Sequence, residues 1–323
     1  MTVIAAGIGV SGAFDGQRRP IDLPAIDHPD QTASLVETLR SHLPDGEPAI
    51  AVVPTWGPPP QRAAYATARR VLGPHRLLIV DTSLPPLAAA LVVAGLGRVL
   101  QRFARAEAAV SLASAIESQI VSLAWTSSVA GLEHVDVPMS LHARSYVSRR
   151  GFVVRVAPAP SARPADGSAL DLGLPEGSRA LVADVDGNET WRGGVLREAL
   201  RPAKIDLVSA PEASKAWWGA RRFIEVAATV GTPDALLSAA LAKQPLVDCA
   251  WCGEPSRRER CDRCGAGLAM DTPVGVGGAS LPPIDHEAAP LAPPPGGTSP
   301  PALSSLPPPS PDPSHTEHKE PRT

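Results

Sequence analysis

The chain has 323 residues, 44% of them apolar, which is enough for one large domain or two ordinary ones with a real core. Its formal net charge of -3 gives no global attraction to nucleic acid or anionic membrane, so either partner would need a local patch. Lysine occurs only at Lys204, Lys215, Lys243 and Lys319 and asparagine only at Asn188, a bias like that of high-GC bacterial coding.

Met1 to Gly9 lacks a positively charged start before its apolar run, which points to a cytoplasmic chain rather than an exported one. The pattern from there is that of an α/β fold with a largely parallel sheet. Candidate strands are Val3–Ile8, Ala49–Val53 and Arg76–Val80, separated by the amphipathic stretches Gln31–Leu43 and Gln61–Leu72. Two longer helices are expected next, Leu84–Phe103 and Glu107–Trp125. The apolar stretch Leu84–Leu96 is shorter than the ~20 residues of a bilayer span and reads as a buried helix, so no integral membrane segment is expected.

From Gly151 the strand pattern returns in Phe152–Val156, Ala180–Asp184 and Ile205–Val208. Ser209-Ala-Pro-Glu212 reads as a capping box opening a helix through Trp217, Phe223, Ile224, Ala227 and Val230. Gly231 closes it, and Thr232-Pro233-Asp234 starts another helix to about Lys243. The organisation expected is an α/β region over 1–150 with a helical second half, a second α/β region over 151–245 within the same or a separate domain, a small module at 246–269, and a disordered Pro-rich tail at 270–323.

The module rests on the four cysteines. Cys249-Ala-Trp-Cys252-Gly253 and Cys261-Asp-Arg-Cys264-Gly265 contain every cysteine of the chain, and a two-residue gap lets paired thiolates turn toward one metal ion. With no secretion signal, metal binding is preferred to disulfides. The segment resembles a short zinc ribbon built from paired CxxCG knuckles, with Ala250 and Asp262 in place of the usual proline. The resemblance implies structural Zn(2+) on Cys249, Cys252, Cys261 and Cys264, and an interaction module. Trp251 with Arg257, Arg258, Arg260 and Arg263 forms the candidate contact surface, for a protein partner ahead of nucleic acid.

Other signals are weaker. Gly7-Ile-Gly9-Val-Ser-Gly12 matches GxGxxG, but prolines follow where a helix should open, so a glycine-rich turn is preferred. Asp184-Val-Asp186-Gly187 resembles the first motif of haloacid-dehalogenase-type phosphatases, and reads better as a turn after a strand. Asp81-Thr82-Ser83 stands at a strand end where open α/β sheets hold ligands. Glu133-His134-Val-Asp136 could pair an imidazole with a carboxylate. No GxSxG, Walker or HExxH motif is present.

Three functions are therefore open. The preferred one is a cytoplasmic accessory protein docking through its zinc ribbon. The alternatives are an enzyme or nucleotide-binding protein with a pocket at Gly9, Thr55, Asp81, His134 and Asp136, and a nucleic-acid binder acting through the ribbon.

Overall fold

The structure is a computed structural model that describes residues 1–9, 20–43, 47–103, 105–148, 150–243, 247–251 and 255–256. All of them belong to one compact unit, Met1–Asp271, and the remainder, Thr272–Thr323, is a second unit.

Sheet 1 is four-stranded and entirely parallel, in the order β2-β1-β3-β4, with β1 Thr2–Ala6, β2 Ile21–Leu23, β3 Ala49–Pro54 and β4 Leu77–Thr82. Its strands are apolar on both faces, as a covered parallel sheet requires. Ile4, Ala6, Ala51 and Val53 pack against α1 (Gln31–His42) and α2 (Pro59–Leu72). Val3, Ala5, Ile50, Val52, Leu78 and Val80 face α3 (Pro86–Phe103) and α4 (Ala106–Glu117). The expected α/β architecture with a parallel sheet is present.

Sheet 2 has six strands in the order β7-β6-β5-β10-β8-β9. They are β5 Ile120–Thr126, β6 Phe152–Ala157, β7 Ser161–Pro164, β8 Ser178–Val185, β9 Ala203–Val208 and β10 Phe223–Thr229. Here the structure departs from a largely parallel arrangement: only β8 and β9 run parallel, and the other neighbours are antiparallel. The helix expected over Glu107–Trp125 is α4 followed by β5, and the helix expected from Ser209 to Val230 is α8 (Glu212–Trp218) followed by β10. Both misread segments are central strands buried at every position, so neither displays the alternation that marks a half-exposed strand.

Helix α3 lies between the two sheets. Eleven of its eighteen residues are buried, with Leu87, Leu91 and Leu96 in the same cluster as Val52 and Leu78 of sheet 1 and Leu181 and Ala227 of sheet 2. It is long and apolar enough to cross a bilayer by composition alone, but 61% of that stretch is buried inside the fold. An all-round apolar helix is what a position between two apolar sheet faces demands.

Between sheet strands run α5 (Met139–Ser145), α6 (Glu189–Trp191), a π turn at Arg192–Leu196, α7 (Arg197–Ala199) and, after β10, α9 (Pro233–Lys243). The far face of sheet 2 is covered by Leu172, Leu174, Trp191, Leu196 and Leu200. The last described pairing is a short antiparallel contact of β11 (Val247–Asp248) with β12 (Pro255–Ser256).

Candidate functional site

At the carboxyl ends of β3 and β4 the chain is held by backbone bonds. Thr55 N–H donates to Thr82 O at 2.8 Å, and Gly57 N–H donates to Pro54 O at 3.2 Å. The Trp56 indole N–H donates to Leu84 O at 2.8 Å, tying the turn after β3 to the turn before α3. Leu84 N–H donates to Thr82 Oγ1 at 3.3 Å. These bonds leave Thr55 and Ser83 exposed at the strand ends. Beside them, burial pushes the Glu117 carboxyl up, against a smaller opposing effect of its hydrogen bond from Thr82.

Trp56 also leans on an apolar cluster of Trp217 and Trp218 of α8, Phe152, Phe223, Ala124, Leu132 and Val135. Trp217 and Trp218 meet edge-on with ring centroids 4.4 Å apart, and the His134 ring lies 5.2 Å from Trp217. The loop carrying His134 is locked against the end of α8, because Gly219 at φ 56° lies so close to Gly131 that a Cβ on either would strike the other's carbonyl. Within this cluster the Trp217 indole N–H and the Thr126 hydroxyl are buried without a hydrogen-bond partner among the described residues. Buried polar groups without partners are uncommon and mark places where a ligand or water completes the bonding.

Glu225 of β10 stands on the same face of sheet 2, fully buried. Its carboxylate accepts from the Leu87 N–H at 2.9 Å and from the Ser214 hydroxyl at 2.5 Å, with Trp218 beside it. Burial outweighs these bonds and pushes its pKa up to about 7.

The residues expected at a pocket are only partly brought together. Gly9, at φ 72°, abuts Pro211 and the Glu212 N–H where α8 begins, and its own N–H donates to Asp22 at 3.3 Å. Thr55 stands next to Trp56, and His134 stacks on Trp217. Asp136 is exposed on the His134 loop. Asp81 turns the other way: strand alternation sends it with Ile79 toward α2, where Arg62 grips both its oxygens at 2.8 and 2.7 Å. Thr82, one residue on, faces α4. The GxGxxG reading ends similarly, since the next described element after β1 is the strand β2, and Gly12 lies outside the described residues. Asp184 accepts from Gly187 N–H at 2.8 Å and from Arg192, the bonding of a turn.

Sequence reasoning passed over Trp56, Thr126, Trp217 and Glu225. A signal for the last existed: a single carboxylate inside the apolar run Phe223-Ile-Glu225-Val-Ala-Ala.

No family model and no curated protein matches the chain. Solved structures do. A DegV family protein from Eubacterium eligens, loaded with heptadecanoic acid, matches at TM-score 0.50 and 11% identity, over 72% of this chain and 100% of that one. The fatty acid kinase B3 protein of Streptococcus pneumoniae, loaded with linoleic acid, matches at TM-score 0.49 and 11% identity, over 71% and 100%. A DegV lipid-binding protein from Thermotoga maritima matches at 0.49 and 12%, over 71% and 98%. At such identities the likeness to the Eubacterium protein establishes the fold.

These findings correct the reading built on the cysteines. Among the described residues no group of three or more His, Cys, Asp and Glu side chains is placed to hold a metal ion, so the Zn(2+) centre is not a feature of the described structure. Cys249 is buried, whereas Cys252, Cys261 and Cys264 lie outside the described residues, as do Arg257, Arg258, Arg260 and Arg263. Trp251 is 84% exposed. Docking through a zinc ribbon gives way to the fold shared with the Eubacterium eligens protein. The spacing argument failed because it treated a local motif as the organiser of a chain whose described core is built on two sheets.

Proposed function

We propose that the chain is a cytoplasmic binding protein for one long-chain fatty acid or a similar single-tailed anionic amphiphile. The carboxylate would sit at the strand ends of β3 and β4, taking hydrogen bonds from Thr55 and Ser83. The tail would run along the cluster of Trp56, Trp217, Phe152 and Phe223. The observation that carries the reading is this junction, where exposed hydroxyls at open strand ends adjoin an aromatic layer with an unpartnered indole N–H and hydroxyl. Ligand sites of open α/β sheets stand at strand carboxyl ends, and a mostly apolar lining with a few polar groups suits an amphiphile. The shared fold with the heptadecanoic-acid-loaded protein supports the same class of ligand.

The test is to extract the purified full-length protein with organic solvent and identify released fatty acids by gas chromatography. About one equivalent per chain supports the reading. A protein that releases none, and takes none up when incubated with oleate, contradicts it.

A further inference from the structure

The α2 side of sheet 1, away from the aromatic cluster, carries a second concavity. A groove of about 600 Å³ runs between α2 and β4, lined by Arg62, Arg69, Arg70 and Asp81 over the apolar Ala66 and Ile79. Because β4 is the edge strand of sheet 1, no further strand among the described residues closes the groove. Arg62 engages Asp81 through Nε and Nη2, and that pair neutralises itself while leaving the other N–H groups of the fork unused. Among the described residues Arg69 and Arg70 have no acidic partner, so the groove keeps two uncompensated guanidinium charges.

Both stand in the last turn of α2, where the helix dipole favours a positive charge. The dipole accounts for their place on the helix but supplies no acceptor, and the Arg69 Nε is buried with no hydrogen-bond partner. A desolvated guanidinium donor without an acceptor is destabilising unless something supplies one.

We propose that this groove binds a phosphate-bearing ligand, whose oxygens accept from Arg69, Arg70 and the unused N–H groups of Arg62. A dianionic phosphate offsets both uncompensated charges, which a single carboxylate does not. Its several acceptor oxygens also match planar guanidinium forks. The ligand reaches the protein either as a free phosphate compound or as a lipid headgroup presented at a membrane surface. The site does not depend on the fatty-acid reading, since it lies on the α2 side of sheet 1.

Full-length protein is titrated with pyrophosphate by calorimetry at low salt, and co-sedimented with phosphatidylcholine vesicles with and without phosphatidic acid. Saturable pyrophosphate binding that falls at least tenfold in Arg69→Gln and in the exposed Arg70→Gln assigns a soluble phosphate ligand. Sedimentation that needs phosphatidic acid and falls in the same variants assigns a headgroup. Arg69→Lys, which keeps the charge and removes Nε, should weaken either mode. Binding to neither probe, or binding that all three variants retain, overturns the proposal. Oleate uptake by the same variants should equal that of the parent, which separates this outcome from failure of the fatty-acid site.

Discussion

The backbone N–H of Leu87, in the first turn of α3, donates to the carboxylate of Glu225 at 2.9 Å across 138 residues of chain. The bond joins the central helix to the central strand of sheet 2. Ser214 of α8 donates to the same carboxylate at 2.5 Å, so three elements meet on one buried group.

That group makes stability depend on pH. An unfolded glutamate titrates near 4.5, whereas the folded Glu225 titrates at about 7. Between those values the folded state holds a proton that the unfolded state has lost, so stability falls as pH rises. The neutral form's contribution is complete below 4.5 and lost through 7. The melting temperature of the parent should drop from pH 5 to pH 8, and that of Glu225→Gln should drop less. Equal slopes would remove Glu225 as the titrating group.

Gly219→Ala should destabilise the protein by more than about 2 kcal/mol, because alanine at positive φ costs about 1–2 kcal/mol before any clash. The added Cβ would lie 1.9 Å from Gly131 O. Urea denaturation measures the loss. The same variant should bind oleate weakly, since the displaced loop carries His134 and braces Trp217.

Trp217→Phe separates the indole N–H from the aromatic surface. The variant should fold and lose affinity for oleate several-fold, because the smaller ring gives up part of the apolar surface along which the tail runs. Calorimetric titration with oleate follows the binding, because the substitution removes Trp217 itself as a fluorescent reporter.

Thr55→Val and Ser83→Ala test the strand ends. Both residues are exposed, so melting temperatures should hold, while each lost hydrogen bond to a carboxylate, worth about 1.5–3 kcal/mol, weakens oleate roughly tenfold or more.

Sheet 1 was largely legible in the sequence. Ala49–Val53 against the observed Ala49–Pro54, and Gln31–Leu43 against Gln31–His42, differ only at the ends, because strand and helix patterns alternate there with clear breaks. Sheet 2 was legible at β6, β8 and β9 but not at β5 and β10, which pair with each other in the middle of the sheet. Each follows a true helix closely, and each is buried on both sides, so its run of buried residues continues the helical pattern in sequence. The breaks were Ser118-Gln119 and Gly219, whose left-handed backbone ends α8. Of the candidate pocket, Gly9, Thr55 and His134 lie around the aromatic layer. Asp81 does not, because one step along a strand reverses the face. The polar atoms of the layer come from Thr126, Trp217 and Glu225, on strands or helix ends whose meeting depends on tertiary packing alone.

The most direct test of the central claim is native mass spectrometry of the full-length chain titrated with oleate. One saturable adduct per chain is expected, reduced in Thr55→Val, Ser83→Ala and Trp217→Phe alike. No adduct, or an adduct that all three variants retain undiminished, would contradict a fatty-acid site at the strand ends.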